Sequence, residues 1–303
     1  MRILITGSNG LLGQKLVAAL RDDPQVELIA TSRGADRTPV ALGERYCSMD
    51  ITAQAEVDAV FDTAQPGVVI HTAAMTNVDA CELDPATCKL QNVTATEHLV
   101  RAARRHNSHF IFLSTDFIFD GANGPYREED AAAPLSIYGH SKLHGERTVM
   151  NAGLAKWSIA RTIIVYGIAE GLSRSNVVLW AKGALEKGQP INVVDDQWRM
   201  PTLAEDLADG CVRIAQRGAT GIFNLSGPDG MSILELVQRV GAFFQLDTSV
   251  VSPVKSDTLG QPARRPPRTG FVLDKARKEL GYAPRSFEEG LAVLRDQLAR
   301  ASG

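Results

Sequence analysis

The stretch Arg2-Ile-Leu-Ile-Thr-Gly7-Ser-Asn-Gly10-Leu-Leu-Gly13 joins a short apolar run to an amphipathic segment, Leu11–Arg21, through three glycines. An apolar run of strand length, then Gly-x-x-Gly-x-x-Gly, then a helical pattern is the form in which a parallel sheet meets a pyrophosphate. Gly7 permits the tight turn, Gly10 lets the backbone come close to a phosphate, and Gly13 allows the helix to pack on the strand. The free N–H groups and the positive dipole end of the following helix face such an anion.

Outward from this turn, short apolar runs alternate with longer amphipathic stretches: Glu27–Thr31, Ala53–Asp62, Val68–His71, Pro85–His106 and Phe110–Ser114. Continuous apolar strands alternating with helices predict a parallel sheet covered on both faces, an α/β doubly wound, Rossmann-like fold. Asp84-Pro85 reads as an N-cap with proline at the first helical position, and a single long helix is expected from there to His106. Ser136 opens another helix, running to about Asn151, and Trp157–Arg161 is the next strand. Beyond about residue 170 the order turns irregular, with helices near Val177–Lys187, Leu203–Gln216, Ser232–Phe244, Asp274–Leu280 and Phe287–Arg300. The expectation is a dinucleotide-binding domain over 1–170, rejoined by about 200–226, and a smaller substrate domain over 171–303.

The second strand ends in Ser32-Arg33 rather than in an acidic residue. A carboxylate there would bond a free ribose 2′-hydroxyl, whereas Arg33 suits a 2′-phosphate. NADPH is therefore favoured, with NADH as the alternative. Asp50, in Met49-Asp50-Ile51, is placed to accept from an adenine amino group, and Ala73-Ala74 after the fourth strand are small enough to admit a cofactor. The expected cofactor set is Gly7, Asn9, Gly10, Leu11, Leu12, Gly13, Ser32, Arg33, Asp50, Ile51, Thr72, Ala73 and Ala74, together with Tyr138 and Lys142.

Tyr138 and Lys142 stand four apart in Ser136-Ile-Tyr-Gly-His-Ser-Lys-Leu-His-Gly-Glu146, so on a helix they share a face. A phenol exchanges a proton near neutrality only with positive charge beside it, which Lys142 would supply. In reduction, Tyr138 would protonate a carbonyl oxygen as hydride reaches its carbon, with the Thr115 hydroxyl bonded to the same oxygen.

The 303 residues can bury a substantial core as one large α/β unit or two unequal domains. A 44% apolar and 22% charged composition is that of an ordinary globular chain, and a net charge of −3 gives no general reason to bind nucleic acid or an anionic membrane. Cys47, Cys81, Cys88 and Cys211 include no C-x-x-C pair and are expected reduced and mostly buried. Met1-Arg2 leads directly into Ile3-Leu4-Ile5, and no stretch approaches a membrane span of ~20 apolar residues. A cytoplasmic protein is expected, with a homodimer left open. The histidines, among them His71, His140 and His144, show no metal-ligand spacing, so no metal is expected. A Gly-x-Ser-x-Gly hydrolase elbow is absent.

Four motifs in one order carry a resemblance: Gly7-x-x-Gly10-x-x-Gly13, Leu113-Ser-Thr-Asp-Phe-Ile-Phe-Asp-Gly121, Tyr138-Gly-His-Ser-Lys-Leu-His-Gly-Glu146, and Asp195-Asp-Gln-Trp-Arg-Met-Pro-Thr-Leu-Ala-Glu-Asp-Leu207. Nearly end to end, the chain resembles the extended short-chain dehydrogenase/reductases and, within them, the dTDP-4-dehydrorhamnose reductase family. The resemblance implies a Thr115, Tyr138, Lys142 catalytic set and a nucleotide-sugar site between the domains. The expected substrate set is Thr115, Asp116, Arg174, Asn176, Arg264 and Arg265, in which the Arg264-Arg-Pro-Pro-Arg268 cluster offers guanidinium forks for a diphosphate. Related 4,6-dehydratases carry Glu where Phe117 stands, which favours simple carbonyl reduction. The family's reductases tend to carry Trp where Ile164 stands, so the particular sugar is left open. The same family resembles a non-catalytic regulatory subunit of methionine adenosyltransferase, and this role and that of a nucleotide-sugar epimerase are the alternatives.

Overall fold

The computed structural model describes residues 1–171 and 176–301. The first half lays down β1 (Arg2–Thr6), α1 (Leu11–Leu20), β2 (Glu27–Ser32), β3 (Tyr46–Ser48), α2 (Gln54–Ala64), β4 (Val68–His71), α3 (Val78–Leu83), α4 (Pro85–Lys89), α5 (Ala95–Arg105), β5 (His109–Thr115), α6 (Ile137–Asn151) and β6 (Trp157–Thr162). The second half adds β7 (Val165–Tyr166), α7 (Val177–Glu186), β8 (Ile191–Val194), β9 (Trp198–Arg199), β10 (Thr202–Leu203), α8 (Ala204–Arg217), β11 (Gly221–Asn224), β12 (Met231–Ser232), α9 (Ile233–Phe244), β13 (Val251–Val254) and α10 (Phe287–Ala301).

Seven strands form one parallel sheet in the order β11-β6-β5-β4-β1-β2-β3. The order reverses between β1 and β4, and the crevice beyond the strand ends at that switch point is where such sheets bind ligands. Period-two alternation divides the core. Ile3, Ile5, Leu28 and Ile70 face α1 and α8, while Leu4, Val69, Phe110 and Phe112 face α2, α5 and α6. Each such side chain is almost fully buried, which stabilises the fold by roughly 1.5–3 kcal/mol apiece relative to exposure. A second cluster, around Tyr166, Val178, Leu185, Leu236 and Leu291, holds α7, α9 and α10 together. Strand β11 and helix α8, from the second half, complete the sheet edge and cover α1. Among the described residues no helix is long and apolar enough to cross a membrane.

Two local features depart from the sequence pattern. Val78–Leu83 is helical, capped by the Asn77 side chain, in a stretch whose six residues are too few to show a period. The expected single helix over 85–106 begins as foreseen, with Asp84 accepting from the Thr87 N–H, but a π turn over Leu90–Thr94 interrupts it. The cause is Asn92, 1% exposed. Its amide bonds the Met75 N–H at 2.8 Å, the Met75 carbonyl at 3.0 Å and Ser141 Oγ at 3.0 Å. The wider turn carries this amide inward, and such π turns occur frequently at functional sites.

Candidate active site

The glycine turn shows why each glycine is needed. Gly7 sits at φ +73°, and a Cβ there would lie 2.8 Å from Ala73 N. A Cβ at Gly13 would lie 2.1 Å from the Gly7 carbonyl oxygen, so only hydrogen lets α1 start against the turn. Gly10 caps α1 without a side chain, and its N–H bonds the Gly7 carbonyl at 2.9 Å. Leu11, Leu12 and Gly13, whose N–H groups open the helix, line a cleft, and the first turn carries no acidic residue, which is the chemistry of an anion site.

From this turn a cleft of about 770 Å³ runs over the strand ends. Its walls include Leu11 and Leu12 from α1, Ser32 at the end of β2 and Arg33 after it, Asp50 and Ile51 after β3, and Thr72, Ala73 and Ala74 after β4. Thr115, Asp116, Tyr138 and Lys142 line its other end, with Asn176 and Arg265 from the second half. The Arg33 guanidinium is 74% exposed and lies 3.9 Å from Asp50 Oδ2, a pair worth little in water. It is free to meet an anion at the cleft mouth. Asp50 turns back on Thr52, accepting from its N–H and its hydroxyl, and these bonds hold its carboxyl below the ordinary range.

Asn9 and Arg264 are not brought into the cleft. Asn9 accepts from the Arg37 N–H at 2.8 Å and donates to the Ala35 carbonyl at 2.8 Å, so its side chain ties the loop after β2 to the glycine turn. Arg264 is exposed away from the cleft, whereas Arg265 points in, forked onto Asp79 with bonds of 3.1 and 2.6 Å. Asn176 lines the cleft, but its side chain caps α7 and donates to the Gly167 carbonyl. Arg268 stacks over the Trp198 ring at 5.7 Å. Arg174 lies outside the described residues. Ile164 borders the cleft at φ +27°, a conformation that a β-branched residue rarely adopts.

Tyr138 and Lys142 come from one face of α6, whose N-terminus Ser136 caps by accepting from the Gly139 N–H. The Tyr138 ring is 8% exposed and stands edge-on to Phe117 at 5.9 Å. Burial pushes its phenol above the ordinary value, a bond with Thr115 acts the other way, and Asp116 adds to the rise. The Lys142 ammonium sits 4.2 Å over the Phe112 ring. Burial pushes it down to about 8, with Glu146 opposing; Glu146 itself is forked onto Arg161 at 2.9 and 2.8 Å. His71 sits beneath, bonded to Thr6, its ring driven down to about 3 by burial and by Lys142, so it adds no positive charge.

Asp116 is 1% exposed, and its carboxyl meets Thr115, Thr269 and Arg199. Burial raises it, and the Arg199 charge opposes that rise. Arg199 and Asn92 escaped the sequence reading. A polar residue inside a motif carries no local sign of being buried, although Arg199 does lie within the Asp195–Leu207 stretch already singled out.

A doubly wound parallel sheet, a glycine turn at its switch point and a Thr/Tyr/Lys group over the same cleft define a nicotinamide-dependent oxidoreductase of the extended short-chain dehydrogenase/reductase class. The chain belongs to the family described as RmlD substrate binding domain, whose model matches residues 1–300. It is 30% identical to a dTDP-4-dehydrorhamnose reductase of Aggregatibacter actinomycetemcomitans over 97% of this chain and 98% of that protein. It is 31% identical to methionine adenosyltransferase 2 subunit beta of Xenopus laevis over 87% of this chain and 78% of that one. The solved structure of a dTDP-4-dehydrorhamnose reductase from Bacillus anthracis in complex with NADP superposes with a TM-score of 0.85 at 26% identity, covering 98% of this chain and 99% of that one.

Proposed function

We propose that the protein is an NADPH-preferring reductase of a 4-keto-6-deoxy nucleotide sugar. The observation that carries this reading is that Thr115, Tyr138 and Lys142 share one cleft with the glycine turn. The residues fit a dinucleotide: a cradle that a Cβ would fill, free helix N–H groups for the pyrophosphate, and Arg33 at the mouth for a 2′-phosphate. The bound nicotinamide would supply hydride to the keto carbon. Tyr138 gives its phenolic proton to the keto oxygen, and Thr115 orients that oxygen. The buried Lys142 ammonium offsets the charge left on the phenol and holds the ribose hydroxyls. In this reading the second half of the chain, apart from the part packed on the sheet, forms the sugar side of the cleft, with Arg265 toward the diphosphate. Phe117 stands where related dehydratases carry a carboxylate for water elimination, so reduction is favoured over dehydration.

A second reading, a non-catalytic NADP-binding regulatory subunit, is supported by the likeness to methionine adenosyltransferase 2 subunit beta. One assay separates the two. The protein is mixed with NADPH and a panel of 4-keto nucleotide sugars, and loss of reduced-cofactor absorbance is followed. Turnover that vanishes in Tyr138→Phe while cofactor binding persists supports the reductase; silence across the panel, with copurification of a partner enzyme, supports the regulatory role.

A further inference from the structure

The second half of the chain reaches the Thr115 hydroxyl through one buried carboxylate. Asp116 directly follows Thr115 at the end of β5. Its Oδ1 accepts from the Thr115 hydroxyl at 3.1 Å. Its Oδ2 accepts from the Thr269 hydroxyl and lies 3.7 Å from Arg199 Nε. Arg199 belongs to β9, and Thr269 to the segment that also carries Arg265. Both side chains of the ion pair are 2% exposed.

A second contact runs in parallel. The Arg199 guanidinium lies 5.7 Å over the Phe117 ring, the same ring that stands edge-on to Tyr138. Arg199 is itself fixed by a 2.7 Å bond to the Trp198 carbonyl. Two residues of the second half thus hold the far oxygen of Asp116, and the near oxygen holds Thr115. Because a carboxylate is planar, fixing the far oxygen sets where the near one lies, and the near one holds the Thr115 oxygen in place; the single Thr115 proton, on Asp116 here, turns to a keto oxygen by rotation about its C–O bond.

We propose that Thr269 and Arg199 are positioning residues that hold the Thr115 oxygen in place through Asp116, so the part of the chain that would seat the sugar also sets where that hydroxyl stands. The role rests on the reductase reading above. Reacting groups misplaced by about 1 Å lose on the order of a hundredfold in rate, so a bond distant from the cofactor is felt in the chemical step.

Thr269→Val removes one hydroxyl at nearly constant shape, and Thr269→Ser keeps it. On the full chain, with NADPH and a 4-keto nucleotide sugar that the wild type turns over, Thr269→Val is expected to lower kcat by about ten- to a hundredfold. Both KM values stay within about twofold in that variant, since no direct ligand contact is lost. Thr269→Ser recovers most of the rate. Asp116→Asn shows a comparable loss, and adding Thr269→Val to it costs little more, because both changes act through one carboxylate. The positioning role is overturned if folded Thr269→Val keeps the wild-type kcat, if Ser and Val lose rate equally, or if the loss lies in KM. Should Thr269→Val fail to fold, Thr269→Ala carries the same expectation. A wild type silent on every sugar sinks the reductase reading itself and this role with it, an outcome distinct from an active wild type with an equally active variant.

Discussion

Lys142→Met should make the protein more stable while ending its turnover. Lys142 is 4% exposed, and its ammonium rests on the Phe112 ring with Glu146 engaged elsewhere by Arg161. Holding that charge out of water lowers its proton affinity from the ordinary 10.5 to about 8. At ~1.4 kcal/mol for each factor of ten, the folded state carries a penalty of about 3 kcal/mol for keeping Lys142 charged. The sign follows from the two proton affinities. Below pH 8 both states hold the proton and the penalty is present in full. Between pH 8 and 10.5 the unfolded chain still binds it and the folded one does not, so this contribution raises stability as pH rises. Methionine has nearly the same length, no charge and a favourable sulfur contact with an aromatic ring. Urea unfolding of wild type and Lys142→Met should show the variant about 3 kcal/mol more stable at pH 7, with the gap closing toward pH 10.5. The difference between the proteins isolates this group, because other titrations are common to both. Wild-type turnover should fall as pH rises through about 8, while the variant stays inactive throughout. A gap absent at pH 7, or one that does not change with pH, would refute the assignment of a buried, charged lysine.

Other outcomes follow from particular surroundings. Gly183→Ala, inside α7 with nothing near its Cβ, should stabilise by about 0.5–1 kcal/mol, whereas Gly13→Ala drives a Cβ into the Gly7 carbonyl and should destabilise by about 1–3 kcal/mol or more and weaken cofactor binding; thermal melts and cofactor titration check both. Arg33→Ala should raise KM for NADPH and leave KM for NADH unchanged, as measured by steady-state kinetics with each cofactor; equal effects would remove the guanidinium from the 2′-phosphate. Arg265→Glu should raise KM for a nucleotide sugar while Arg264→Glu leaves it unchanged, because only the first side chain faces the cleft.

Much of the architecture was legible because it rests on local rules. The glycine turn demands small residues at Gly7, Gly10 and Gly13 whatever surrounds it. Strand boundaries at Arg2–Thr6 and Val68–His71 follow from short apolar runs, and Ser136 marks the start of α6 through its cap. The π turn at Leu90–Thr94 was not legible, because what breaks the helix is a bond from Asn92 to a loop seventeen residues away. Of two adjacent arginines, 264 and 265, composition cannot say which turns inward. Asp79, from a helix nearly two hundred residues earlier, makes that choice by pairing with the second.

From the chain alone came the doubly wound sheet, the anion-binding turn and a phenol and an amine one helical turn apart, since each depends on residues close in sequence and on backbone periodicity. Tertiary structure alone decided how those groups behave. Burial, rather than the neighbouring ammonium, dominates the Tyr138 phenol, and burial likewise brings Lys142 down to about 8. Asp116 acquires Thr269, 153 residues away, only when the chain is folded. Proton affinity and orientation are set by desolvation and by contacts between distant segments, and neither is written in local spacing.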